Sequence, residues 1–203
     1  MLNRLLRTTW TKVMTPIAKL FLKLGISPDI VTIVGTVGVC VGALAFYPRG
    51  EFLVGTLVIV AFIFSDNVDG VMARLSDRQG VWGAFLDSTL DRVGDAAIFG
   101  GLVLFYAGQG ADSTMAGLAL ACLILGGVVS YAKARAEGLG MTANVGIAER
   151  ADRLVTVLTA TGVVGMGVSP LLLEVVLALL AIASGFTVVQ RMLEVRRQAV
   201  TRA

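Results

Sequence analysis

The chain has 203 residues, a formal net charge of +3, a hydrophobic content of 56% and a mean hydropathy of +0.84, more apolar than a water-soluble domain of this size can hide in one core. An ordinary soluble domain is excluded, and an integral membrane protein is expected. The absence of histidine further excludes Ser-His and Cys-His nucleophile pairs and His-ligated zinc. Cys40 and Cys122 sit in apolar stretches with neither disulfide-framework nor metal-ligand spacing.

In residues 1–16, Leu2, Leu5, Leu6, Trp10, Val13 and Met14 recur at intervals of three and four, with Arg4, Arg7, Thr8, Thr11 and Lys12 on the other side. This predicts an amphipathic helix lying in the headgroup region rather than a removable signal peptide. Six apolar stretches follow, roughly Ser27 to Tyr47, Phe52 to Ala73, Gly83 to Tyr106, Ser113 to Ala136, Arg153 to Val168 and Leu171 to Met192. Each approaches the roughly 20 residues that cross about 30 Å of hydrocarbon. Pro28, Pro48 and Pro170 fall at or near their ends, and residues 108–112 form a polar break. The expected fold is therefore an all-α integral membrane protein with six transmembrane helices in a core spanning 27–192, an N-terminal amphipathic interfacial helix and a basic cytoplasmic tail at 193–203. No separate soluble domain fits.

Fifteen basic residues, among them Arg74, Arg78, Lys133, Arg135, Arg150 and Arg153, fall on one face of this arrangement; Arg49 falls on the other. The positive-inside rule places both termini and the 74–82 and 133–153 loops in the cytoplasm. The basic C-terminal tail suits attraction to anionic lipid, with no nucleic-acid partner implied.

The second and third stretches contain Asp66-x2-Asp69-Gly70-x2-Ala73-Arg74-x8-Gly83-x3-Asp87-x3-Asp91. Spacings of three and four put each aspartate pair on one helix face, and the short link predicts antiparallel neighbours. Four carboxylates converging in a low-dielectric site would repel one another without a cation. An all-oxygen set selects a hard divalent ion, magnesium or else manganese, one or two in number. Gly70, Ala73 and Gly83 leave the helix faces bare for a flat ligand, and Arg74 offers a fork for a phosphate. Arg92, next to Asp91, is read as a structural partner of Asp95 or of another span.

The string DNVDGVMARLSDRQGVWGAFLDSTLD, residues 66–91, resembles at all eight specified positions the signature of the CDP-alcohol phosphotransferase family, integral membrane enzymes of phospholipid synthesis. The resemblance implies a six-span fold, a homodimer and transfer of the phosphatidyl group of CDP-diacylglycerol to an alcohol with release of CMP. It implies that Asp66, Asp69 and Asp87 bind metal, that Asp91 completes the metal site and is the general base, and that Gly70, Ala73, Arg74 and Gly83 surround the nucleotide. SPDIVT, at 27–32, resembles a family pattern beside the donor diphosphate, implying nucleotide contacts from Asp29 and Thr32; Ser27 and Pro28 equally suit a helix cap and first turn.

Lys133, Arg135, Arg150 and Arg153 surround a Gly-containing loop within 130–154, more cation than a neutral or zwitterionic acceptor needs, although topology also draws basic residues to this side. SYAKARAE and ERADRL within 130–154 resemble the phosphatidylinositol phosphate synthases of actinobacteria. That resemblance implies inositol phosphate as acceptor, a pocket of Ser130, Lys133, Arg135 and Arg153 with Arg191 contributing, and a plasma-membrane enzyme whose site faces the cytoplasm. Phosphatidylglycerophosphate synthases, which take glycerol 3-phosphate, share the central signature and are the alternative. A divalent-cation transporter is the alternative of another class, and a scaffold that has lost activity is a third. The acidic residues stop in the cytoplasmic half, which argues against conduction.

Overall fold

The computed structural model describes residues 14–76 and 80–202, with the backbone alone at 65–67, 69 and 202. The amphipathic helix expected over 1–16 therefore lies almost wholly outside the described residues. Among those described there is no strand. A helix over 14–23 (α1) is followed by α2 (Pro28–Phe46), a 3-10 turn (Tyr47–Arg49), α3 (Phe52–Leu75), α4 (Val81–Ala107), α5 (Ser113–Gly138), α6 (Arg150–Gly165) and α7 (Leu171–Arg202).

The punctuation acts as its chemistry requires. Ser27 Oγ accepts the Ile30 N–H at 3.4 Å and Pro28 opens α2, while Asp112 accepts the Met115 N–H at 3.0 Å to cap α5. Among the described residues three helices are long and apolar enough to cross a membrane: Pro28–Arg49 including the turn, Ser113–Gly138 and Leu171–Thr201. Phe52–Phe64 is a shorter apolar helix segment. α4 is long, but its first half carries Asp87, Asp91, Arg92 and Asp95. α6, at 16 residues, rises only about 24 Å, short of the hydrocarbon thickness. It stops before the expected Val168 because Gly167 takes a φ of 96°, a left-handed conformation that ends the turn. α7 instead runs on through the expected tail, where Glu194 pairs with Arg197 at 3.0 Å and accepts from Gln198 at 2.8 Å.

α2 is the hub. Its inward face is small, with Gly35, Gly38, Gly42 and Ala43 buried, while Val34, Val37, Val41 and Leu44 are exposed at helical spacing. An outward stripe of branched apolar residues is what a lipid-facing helix presents. A Cβ at Gly38 would lie 2.2 Å from the Phe62 ring of α3, and one at Gly101 of α4 would lie 2.8 Å from the Ala43 carbonyl of α2. Close backbone approach on both sides of α2 depends on these glycines. The expectation that α3 and α4 pack directly on each other is thereby corrected: both pack chiefly on α2, and among the described residues they touch each other little. α5 packs on α4 and α7, and α6 on α3 and α7.

A second apolar cluster joins α1 to α3 through Ala18, Val68, Val71 and Met72. Burial of that face of α3 leaves Gly70 and Ala73, by register, on the opposite side of the helix.

Candidate active site

The charged end of α4 stands against the start of α6. Asp91 and Asp95 are one turn apart, and Arg150 reaches both: Nη1 is 2.8 Å from Asp91 Oδ1, and Nε donates to Asp95 Oδ1 at 3.0 Å. Arg153, one turn further along α6 and 1% exposed, places Nη2 3.5 Å from Asp95 Oδ2 and donates through Nη1 to the Ala148 carbonyl at 3.0 Å. Gly126 of α5 makes room for it, since a Cβ there would lie 3.1 Å from Arg153 Nε. Arg92 lies 3.5 Å from Asp91 Oδ2 and 3.8 Å from Asp95 Oδ2, which agrees with its reading as a structural partner. These guanidiniums outnumber the two carboxylates they touch, so the cluster retains positive charge toward the space beside it.

That space is a cavity of about 780 Å³ between α4, α5, α6 and α7, large enough for a small polar metabolite. Asp91, Ser130, Lys133, Arg150, Arg153 and Arg191 all line it. Ser130 Oγ donates to the Gly126 carbonyl at 3.1 Å. Arg191, 3% exposed, donates through Nε to the Val145 carbonyl at 3.0 Å and through Nη1 to the Val129 carbonyl at 2.6 Å, which ties the 139–149 loop to α5. Thr187 Oγ1 accepts the Ile147 and Ala148 N–H groups, both at 3.2 Å, and secures the same loop to α7. Arg135 is exposed and does not line the cavity: two residues beyond Lys133 on α5, it falls on another side of the helix.

The other expected residues lie on the far side of Asp91. Asp87, one turn toward the N-terminus of α4, is exposed and has no ion-pair partner among the described residues. The side chains of Asp66 and Asp69, expected to converge with Asp87 and Asp91, lie outside the described residues. Asp29 at the start of α2 accepts a hydrogen bond from Trp82 Nε1 of α4 at 3.2 Å, and buried Thr32 donates to the Pro28 carbonyl at 3.2 Å. Among the described residues nothing lies within 4 Å of where a Cβ at Gly83 would be, and a Cβ at Gly70 would meet Arg74 Nη1 at 3.8 Å. Ala73 is half-buried and Arg74 exposed.

Asp95 was read from sequence only as a partner for Arg92, and Arg150 only as one of the group of cations around the loop, not as a contact of Asp91. The signals were there: Asp95 follows Asp91 by one helical turn, and Arg150 precedes Arg153 by three residues on the same helix face. What neither spacing reveals is that α6 crosses α4 at that level.

The family model for CDP-alcohol phosphatidyltransferase matches residues 25–189. A phosphatidylinositol phosphate synthase of Streptomyces avermitilis is 51% identical, over 98% of this chain and 84% of that protein. One of Cutibacterium acnes is 46% identical, over 94% of this chain and 96% of the relative. Among solved structures, the Mycobacterium tuberculosis phosphatidylinositol phosphate synthase with CDP-DAG bound superposes with a TM-score of 0.86 at 41% identity, covering 91% of this chain and 94% of that one. The same mycobacterial enzyme in complex with manganese and citrate gives a TM-score of 0.86 over 90% of this chain and 88% of the other.

Proposed function

The chain belongs to the CDP-alcohol phosphatidyltransferase family, and from that premise we propose that it transfers the phosphatidyl group of CDP-diacylglycerol to inositol phosphate, giving phosphatidylinositol phosphate and CMP. The observation that carries the acceptor is the cavity in which Lys133, Arg150, Arg153 and Arg191 stand beside Asp91. A phosphorylated polyol needs cations for its phosphate and a base at the hydroxyl that reacts, and both occur around one space of fitting volume.

In this reading Ser130, Lys133, Arg153 and Arg191 bind the acceptor phosphate, joined by Arg150 on the same lining, while Arg135, off the lining, adds only charge at longer range. Asp91 takes the proton of the acceptor hydroxyl as that oxygen bonds to the phosphorus of the phosphatidyl group and CMP departs with its own phosphate oxygen. Asp91 Oδ2, whose nearest cation is the looser Arg92 contact at 3.5 Å, is the oxygen assigned to the proton; Oδ1 is held by Arg150. Asp29, Thr32, Gly70, Ala73, Arg74 and Gly83 receive the nucleotide and its diphosphate. The room among the described residues at Gly70 and Gly83 suits a ligand lying against backbone.

The donor set fits a divalent ion. Asp87 carries a charge without a cationic partner among the described residues, Asp91 stands one turn away, and Asp66 and Asp69 share one face of α3; all four offer oxygen alone. Asp66, Asp69 and Asp87 would hold magnesium, with manganese as substitute, and Asp91 would complete the set. When bound, the ion neutralises charge on the diphosphate and on the departing CMP.

The same reading takes the chain as a single membrane domain of six spans with residues 1–16 in the interface. Both termini and the active site lie on the cytoplasmic side of the plasma membrane, and the enzyme works as a homodimer. Purified protein given CDP-diacylglycerol, magnesium and labelled inositol phosphate is expected to form labelled lipid and CMP, to prefer that acceptor over glycerol 3-phosphate in competition, and to stop when the metal is chelated. Absence of lipid product with every alcohol phosphate tried would overturn the proposal. Metal flux into proteoliposomes that disappears on Asp69→Asn would favour transport instead.

A further inference from the structure

The geometry points to Asp95 as a positioning residue: it sets the guanidinium groups of Arg150 and Arg153 where the acceptor's phosphate meets them. This inference rests on the acceptor reading above. Asp95 lies outside the eight-position signature, on α4, and is 7% exposed. A carboxylate lining an anion site would repel the ligand if it stood free. Here both oxygens are occupied, Oδ1 by Arg150 Nε at 3.0 Å and Oδ2 by Arg153 Nη2 at 3.5 Å and Arg92 Nη2 at 3.8 Å. Its charge is neutralised by guanidiniums and serves to hold them, from α6, against α4.

Two like-charged guanidiniums three residues apart on one helix repel each other, and one of them is almost wholly buried. An anion between them is what permits both to face the same cavity. Arg150 depends on it further. Its grip on Asp91 uses Nη1 and its grip on Asp95 uses Nε, so the guanidinium plane is fixed at two points and Nη2 has no partner among the described residues. Removing Asp95 leaves Arg150 attached to Asp91 alone and free to rotate about that single contact, away from the orientation in which it complements Arg153.

An amide at position 95 has the same shape, but it loses the charge and turns an NH₂ group toward a guanidinium, donor against donor. Asp95→Asn is therefore expected to raise the KM for inositol phosphate by about 10- to 100-fold, the range for loss of an outer partner that orients a ligand set. The KM for CDP-diacylglycerol should stay at its wild-type value, while the melting temperature in detergent falls, because the buried Arg153 loses its counter-charge. Asp95→Glu keeps the charge and should recover part of the loss. Arg150→Gln, whose parent side chain is 33% exposed and so tolerates change, should raise the acceptor KM as well, and decides the matter if Asp95→Asn does not fold.

An acceptor KM equal to wild type in Asp95→Asn, or in Arg150→Gln when that variant must serve, would overturn the assignment. So would a loss spread equally over donor KM, acceptor KM and melting temperature with no recovery in Asp95→Glu, which is the mark of a purely structural ion pair. If the wild-type protein used glycerol 3-phosphate instead, only the acceptor reading would fall. The phosphate is common to both, and the same KM comparison is then made with that acceptor.

Discussion

At the end of the bundle where the chain passes from α2 into α3, Tyr47, Phe52, Phe105 and Tyr106 stack edge to face, with ring centroids of 5.8 Å for Tyr47–Phe52 and 4.8 Å for Phe52–Phe105. At the opposite end, Asp91 and Asp95 meet Arg92, Arg150 and Arg153. Tyr47 is fully buried, yet its hydroxyl is matched by Thr56 Oγ1 at 2.9 Å; nothing there is left to bind. The charged end has one more cation than carboxylate around an open volume, Arg92, Lys133, Arg150, Arg153 and Arg191 against Asp91, Asp95, Glu137 and Glu149. One end is closed by shape and the other is kept unfinished by charge, because stability asks for satisfied contacts whereas binding asks for groups that a ligand satisfies.

This contrast makes changes at the two ends separable in effect. The largest expected effect is at the charged end: Asp91→Asn should lower CMP release by roughly 10²–10⁴-fold, the usual contribution of a positioned base, with little change in melting temperature. Radiolabel transfer and a thermal melt on the same preparation check it. A large fall in melting temperature would show that Asp91 belongs to the scaffold instead.

At the aromatic end, Gly165 lies against the backbone of α3, where a Cβ would come 2.4 Å from the Leu53 nitrogen. Backbone cannot step aside as a side chain can, so Gly165→Ala should cost about 1–3 kcal/mol in unfolding free energy, the cost of overpacking. It should leave the KM values for both substrates unchanged. Denaturation in mixed micelles measures the first and steady-state kinetics the second. The smallest effect expected is for Tyr47→Phe, which leaves the Thr56 hydroxyl without its partner and costs about 1 kcal/mol, with turnover unaffected. Loss of turnover in either variant would break the separation between the ends.

Much of the fold was legible from hydropathy and punctuation. Ser27 and Pro28 mark a helix start because a side-chain oxygen or a fixed φ supplies what the first turn lacks, and those are properties of one residue and its next few neighbours. The ends of α6 and α7 were less legible. Gly167 stops one helix through its backbone conformation, whereas Glu194, Arg197 and Gln198 carry the other past the apolar run. Hydropathy registers neither effect. The aspartate spacing was legible for the same local reason as the caps, and the basic residues around the 133–153 loop were legible as a group; that Lys133 lines the cavity while Arg135 does not depends on how α5 is rotated against α4 and α7.

By itself, then, the sequence determined what is written within a turn or two of helix: apolar stretches of near-spanning length, the caps, the aspartates on shared faces, and a chain with no histidine chemistry. Only the tertiary structure decided that α2 rather than α3 is the main neighbour of α4, that α6 crosses at the level of Asp95, and that Arg150 joins Asp91 to Asp95 from 55 residues away along the chain. The physical reason is range. Capping and periodicity act between neighbours in sequence, whereas an ion pair between helices exists only after glycine-lined faces have set how closely, and at what height, those helices pack.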